Sequence, residues 1–174
     1  MLKHLRLATI LAVTLSAAIP AQVTEYQVKA AVLYKFVQFV TWPPESFSSP
    51  SDPVVACVLG QSSFAFALKE LSRGKLVWGR PFTVREVANA QQAKSCQILF
   101  VAAFERKQFR SILADLMTTP ILTVADTDGF TDAGGVVNLI SEGGMVHFQI
   151  NVMAAKQNNL QVSSKLLSLA QIVK

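Results

Sequence analysis

Histidine and cysteine are scarce in this chain of 174 residues, which holds two of each. A Ser-His-acid hydrolase needs an imidazole to take the proton of its nucleophile, and His4 lies in an N-terminal segment that we expect to be removed. His147 is then the remaining candidate, and its place on the polar side of an alternating stretch favours an ordinary surface histidine. One mature histidine and two widely spaced cysteines do not indicate a metal site.

Motifs for nucleotide and nucleic-acid binding are also missing. The sequence has no G-x-G-x-x-G pattern and no P-loop lysine, and its basic residues are scattered, whereas a nucleic-acid surface clusters them among aromatic residues. Asp126, Asp128 and Asp132 come nearest to a group for acid chemistry. Their segment faintly resembles a calcium loop, but it lacks the third ligand and the closing glutamate. A polar turn is therefore the favoured interpretation, and no metal is expected.

The first 21 residues predict export. Lys3 and Arg6 precede an uncharged apolar run over 7–19, and Ala21 offers a small residue at a cleavage point; this order is typical of a secretory signal peptide. The run is shorter than the roughly 20 residues that span a membrane comfortably. We therefore expect a signal peptide over 1–21 and a mature domain over 22–174. An uncleaved N-terminal anchor is the alternative.

The mature chain predicts one α/β domain. Apolar residues make up 51% of the sequence and charged residues 16%, a balance that favours a folded core over disorder. Hydrophobic runs and periodicity predict strands over 54–59, 82–87, 96–101, 121–124, 136–140 and 145–152, and helices over 28–40, 64–71, 105–117, 153–157 and from 163 to the end. We expect a mixed sheet of about five or six strands flanked by helices, with a late antiparallel hairpin and a C-terminal helix.

Two features of the mature chain point to stability and to binding. An even pair of cysteines in an exported protein suggests one disulfide between Cys57 and Cys96, which would close a loop of about 40 residues and stabilise the fold by roughly 4 kcal/mol; two buried thiols are the alternative. Trp42, Phe47, Trp78 and Phe130 lie near prolines or glycines in predicted loops or strand edges. They are candidates for partner-binding anchors, although large aromatic residues also close cores.

Several motifs taken together resemble the YfiR-like family of periplasmic regulators. The resemblance covers nearly all of the mature chain and is strongest in the last third. The matching segments are KAAVLYKF at 29–36, FVTWP at 39–43, GRP at 79–81, CQILFV at 96–101, ILTVAD at 121–126, GF at 129–130, GG at 134–135, FQIN at 148–151 and SSKLL at 163–167.

This resemblance implies a non-catalytic protein of the periplasm that has no cofactor. The best-known member restrains an inner-membrane diguanylate cyclase through the periplasmic part of the cyclase, and an outer-membrane lipoprotein relieves that restraint. The output is the level of cyclic-di-GMP, and with it biofilm formation. The family is also linked to homodimers and to redox sensitivity. Cys57 and Cys96 resemble one of its disulfide pairs, whereas the second, later pair of some members is absent here.

We therefore expect an exported regulator that binds a membrane signalling protein and that represses a cyclase. A small-ligand sensor of the cell envelope is the main alternative, and it would need a sizeable apolar pocket with a few convergent polar groups. An envelope hydrolase is a third possibility. It would require His147 or the carboxylates at 126–132 to line a cleft beside a nucleophile.

Overall fold

The computed structural model describes residues 24–60 and 63–173. The predicted signal peptide over 1–21 lies outside these described residues. Within them, no helix combines the length and the apolar character that crossing a membrane requires.

A mixed sheet of eight strands forms the middle layer of the domain. Along the sheet the strands follow the order β10-β8-β7-β6-β5-β2-β4-β3, and a separate pair, β1 and β9, lies antiparallel beside it. The five strands β4, β2, β5, β6 and β7 are mutually parallel, while β8 and β3 run antiparallel to their neighbours β7 and β4. The strands are β1 Val40–Thr41, β2 Val54–Leu59, β3 Leu76–Val77, β4 Arg80–Val87, β5 Ile98–Val101, β6 Leu122–Ala125, β7 Val137–Glu142, β8 Met145–Asn151, β9 Gln161–Val162 and β10 Gln171–Val173.

Helices cover both faces of this sheet. Alternation along β2 shows the division, because Ala56 and Val58 join the apolar cluster beneath α1 and α2, while Cys57 and Leu59 join the cluster beneath α3 and α4. Successive residues of a strand point to opposite faces, so the uninterrupted apolar run of β2 is buried on both sides, as its sequence predicted. The helices are α1 Glu25–Val37, α2 Ser63–Ser72, α3 Ala90–Ala93, α4 Phe109–Asp115, α5 Val152–Gln157 and α6 Ser164–Leu167.

Helix α1 begins three residues earlier than its apolar stripe predicted. Thr24 accepts a hydrogen bond from the Gln27 backbone N–H, and the Gln27 side chain accepts one from the Thr24 backbone N–H. This reciprocal capping box fixes the start of the helix. The helix also ends earlier, at Val37, because Val40 and Thr41 pair with β9 instead.

The α/β class and the mixed sheet are confirmed, but the predicted C-terminal helix is wrong over most of its length. Ser163 caps a helix that ends at Leu167, and Gln171–Val173 then pair in parallel with β8. Leu169, which precedes that strand, is 71% exposed. The edge of β8 offers unpaired backbone groups, and the short apolar segment satisfies them as a strand. The two short edge strands β3 and β10 account for the difference between eight strands and the expected five or six.

Candidate partner-binding groove

A groove lined with aromatic residues lies at one edge of the sheet. It has a volume of about 540 Å³, and it lies between the turn that joins β3 to β4 and the segment before β2. Trp42, Phe47, Trp78 and Arg80 line it together with Pro44 and Pro50. The groove lies at the amino ends of β2 and β4, whereas open parallel sheets usually bind small ligands at the carboxyl ends of their strands.

Gln97 connects one wall of this groove to the sheet through hydrogen bonds. Trp42 is 5% exposed, and its Nε1 donates to the backbone oxygen of Gln97 at 3.0 Å. The Gln97 side chain accepts from the backbone N–H of Val55 at 2.9 Å and donates to the backbone oxygen of Ser46 at 3.0 Å. Sequence analysis did not single out Gln97, although a polar residue inside the apolar run at 96–101 was a usable signal, since buried amides are retained where they are hydrogen-bonded.

Arg80 stabilises the opposite wall of the groove, which the segment before β2 forms. Its guanidinium lies 4.0 Å from the centroid of the Phe47 ring, a cation–π distance. Nη1 also donates to the backbone oxygens of Ser49 at 2.7 Å and Asp52 at 2.9 Å. The carboxylate of Asp52 accepts from the Ser49 hydroxyl and from two backbone N–H groups. The Ser49 side-chain bond, followed by the Ser49 backbone bond, lowers the pKa of Asp52, so the loop is fixed by an anion that persists at neutral pH.

Trp78 is the exposed anchor of the groove. It forms the tight turn between the paired residues Val77 and Arg80 together with Gly79, and both turn residues have positive φ, 51° for Trp78 and 76° for Gly79. Such two-residue turns prefer Asn-Gly, because a side chain in the left-handed region costs roughly 1–2 kcal/mol. Trp78 nevertheless holds this conformation with 48% of its surface exposed, while its ring meets Trp42 edge-on at 5.7 Å.

The predicted anchors therefore separate into two places. Trp42, Phe47 and Trp78 line the groove together. Phe130 has no exposed surface and packs edge-on against Phe109 at 4.9 Å. A Cβ added at Gly135 would lie 2.2 Å from the Phe130 ring, so glycine there makes room for it. Phe130 would reach a partner only if this part of the core opened.

A buried ion pair ties α1 to the end of β6. Lys29 Nζ lies 2.8 Å from Asp126 Oδ2, and these side chains are 5% and 7% exposed. Glu25 contacts the same ammonium, and its Oε1 accepts from the Ser141 hydroxyl at 2.8 Å. Burial alone lowers the pKa of Lys29, but the hydrogen bonds that its ammonium donates to Asp126 and Glu25 outweigh burial and leave that pKa raised. The contact with Lys29 lowers the pKa of Glu25.

Asp126 and His147, two of the residues considered for catalysis, lie in different surroundings. Asp126 is engaged with Lys29, and His147 is exposed on β8, where it lies opposite Ile140 of β7. Over residues 24–60 and 63–173, no three histidine, cysteine or acidic side chains are grouped so that they could hold a metal ion.

Cys57 and Cys96 form a disulfide whose Cα atoms are 6.0 Å apart. The bond joins β2 to the segment between α3 and β5, and its sulfurs lie in the cluster beneath α3 and α4. Helix α3 has four residues, of which Ala90 and Ala93 are buried. Two alanine side chains bury little apolar surface, so the covalent link contributes to holding this short helix on the sheet.

Fold and groove together define a protein with an α/β core and an aromatic surface site. Comparison with protein families gives the class: the chain matches the YfiR/HmsC-like family over residues 26–171 and belongs to it. This is a family of periplasmic regulators rather than of enzymes. No curated protein matches the chain.

Two solved structures share the fold at low sequence identity. A conserved domain protein from Vibrio cholerae O1 biovar El Tor str. N16961 aligns with a TM-score of 0.53 and 11% identity, over 86% of this chain and 60% of that one. The ABC domain in complex with L-Trp from Streptococcus pneumonia aligns with a TM-score of 0.50 and 10% identity, over 70% and 55% of the two chains. The chain thus spans less than two thirds of either protein, and these likenesses show the fold alone.

Proposed function

We propose that this protein is an exported regulator that binds the periplasmic part of an inner-membrane signalling protein. The partner is a diguanylate cyclase. The regulator represses this cyclase and so lowers the level of cyclic-di-GMP. Family membership supports the regulatory class. The main support for the groove as the contact surface is Trp78. This large side chain is half-exposed in a turn, and its positive φ is unfavourable for a residue other than glycine.

The groove suits a repressor that acts by binding. A ligand shifts a conformational equilibrium only by its difference in affinity for the two states, and each tenfold difference is about 1.4 kcal/mol. Gln97 and Arg80 fix both walls through hydrogen bonds to the backbone, so little ordering cost remains when a partner docks. The Trp78 ring supplies the kind of large aromatic contact that dominates protein interfaces.

Cells with the gene deleted test this function. Cyclic-di-GMP and surface attachment should rise on deletion, and the wild-type gene should restore both to their original levels. A gene carrying Trp78→Ala should be exported to the same amount but fail to restore them, while Leu169→Ser, at the opposite edge of the sheet, should restore them fully. Unchanged cyclic-di-GMP in the deletion strain, with the cyclase present, would refute the proposal.

Release by an outer-membrane lipoprotein and homodimer formation are further parts of this proposal. Both follow from the family resemblance. Light scattering of the purified mature protein would give its mass, and co-purification from solubilised envelope would identify the lipoprotein. A monomer at all concentrations would remove the homodimer from the account without affecting the cyclase contact.

A further inference from the structure

A cationic side chain contacts both sulfurs of the disulfide. Arg85 Nη2 lies 3.4 Å from Cys96 Sγ and 3.7 Å from Cys57 Sγ. The same nitrogen lies 2.7 Å from the Ser95 hydroxyl oxygen. We propose that Arg85 sets how readily the Cys57–Cys96 disulfide is reduced, by holding its guanidinium against the atoms that become thiolates.

The sheet register puts Arg85 in this position. In the parallel pairing of β2 and β4, Cys57 lies directly opposite Arg85, so both side chains project from the same face. Glu86, the next residue, pairs with Lys69 of α2 on the other face. Lys94, at the end of α3, is exposed and two residues from Cys96. Arg85 is thus a charged group that the structure brings into contact with both sulfurs.

The contact with Arg85 matters because both cysteines are buried. Cys57 is fully buried and Cys96 is 3% exposed. An apolar environment disfavours a thiolate, whereas a neighbouring arginine favours it. Arg85 itself is exposed, so solvent weakens its field. We expect an effect of about three- to tenfold on the reduction equilibrium, where tenfold corresponds to one pKa unit.

The reaction is an ordinary thiol–disulfide exchange with an external dithiol. A thiolate of the dithiol attacks Cys96 Sγ, the less enclosed sulfur, and the S–S bond breaks so that the electron pair leaves on Cys57 Sγ. The second thiolate of the dithiol then attacks the other dithiol sulfur, which is bonded to Cys96 in the mixed disulfide, and Cys96 is released as a thiolate. Two electrons pass to the protein, the dithiol becomes a cyclic disulfide, and Arg85 stabilises the anionic sulfur in each step.

Equilibration of the folded protein in dithiothreitol buffers, at an alkaline pH where the reduced cysteines remain thiolates, tests this role. Arg85→Gln should lower the equilibrium constant for reduction about three- to tenfold, and Arg85→Lys, which keeps the charge, should recover part of that loss. Arg73→Gln, an exposed arginine paired with Glu70, is the matched control and should equal wild type. In the reduced protein, the pH dependence of alkylation should show a higher thiol pKa for Arg85→Gln, a readout that a merely structural role would not move.

Ser95→Ala keeps the test available if Arg85→Gln does not fold, because it removes the partner that holds Nη2 and should shift the equilibrium in the same direction by a smaller factor. An equilibrium constant and thiol pKa equal to wild type in Arg85→Gln would overturn the proposal. So would easier reduction of Arg85→Gln, which would mean that Arg85 only shields the sulfurs.

Discussion

Both edges of the sheet expose large apolar side chains, but at only one edge do they lie beside a groove with hydrogen-bonded walls. At the β3 edge Leu76 is 56% and Trp78 48% exposed, and at the β10 edge Leu169 is 71% and Ile172 45% exposed. The β3 edge lies beside a groove whose walls are fixed by buried or charged side chains bonded to the backbone. The β10 edge is three residues long and carries isolated aliphatic groups. Isolated exposed aliphatic residues are normal on any surface, so support, rather than exposure, distinguishes the candidate site.

The largest expected effect comes from a change remote from both edges, and it separates stability from binding. Lys29→Met removes the cation from the buried pair with Asp126. The uncompensated carboxylate should lower the free energy of unfolding by about 3–5 kcal/mol, measured by urea denaturation. Partner affinity of the folded variant should stay at the wild-type value. Lys29→Met with Asp126→Leu, which removes both charges, should recover most of the lost stability.

The pH dependence of the same variant gives a second readout. Because the pKa of Lys29 is raised above its ordinary value of 10.5, its contribution is complete below that value and is lost as pH rises through the higher folded pKa. Wild type should therefore lose stability more steeply than Lys29→Met in this alkaline range. Parallel curves would show that the ammonium contributes nothing to folding.

An intermediate effect is expected from Gln97, which supports the groove. Gln97→Ala leaves the Val55 N–H and the Ser46 oxygen without their partner, at a cost of about 2 kcal/mol, and should weaken partner binding because the groove loosens. Gln171→Ala is the control at the other edge, where the exposed Gln171 side chain accepts a hydrogen bond from the Gln149 amide. The control should change stability by less than about 1 kcal/mol and leave binding intact; equal losses of binding would remove the distinction between the edges.

The smallest effect on stability should come from Trp78→Asn. Asparagine suits the left-handed turn position and recovers roughly 1–2 kcal/mol, while the lost edge contact with Trp42 costs about 0.5–1.5 kcal/mol. Thermal unfolding should therefore show a net change within about 1 kcal/mol. A large destabilisation would assign Trp78 to the fold rather than to binding.

The sequence predicted the centre of the molecule better than its edges. The apolar runs of β2 and β5 are buried on both faces and have few alternatives, so their positions followed from composition. Strands β3 and β10 depend on the free edges of β4 and β8, which no local pattern encodes. The groove was predicted in part: Trp42, Phe47 and Trp78 were chosen as aromatic residues near prolines or glycines. The strain at Trp78 and the hydrogen bonds of Gln97 with Trp42, Val55 and Ser46 could be found only from the backbone structure. Phe130 was buried by packing against Phe109.

The affinity of the mature protein for the periplasmic part of the cyclase tests the central claim most directly. Wild type, Trp78→Ala and Leu169→Ser should be titrated under the same conditions, after each variant has been shown to be folded. The account predicts that Trp78→Ala weakens binding by at least about 2 kcal/mol, or roughly 30-fold, and that Leu169→Ser binds as wild type does. Equal affinity of wild type and Trp78→Ala would contradict it.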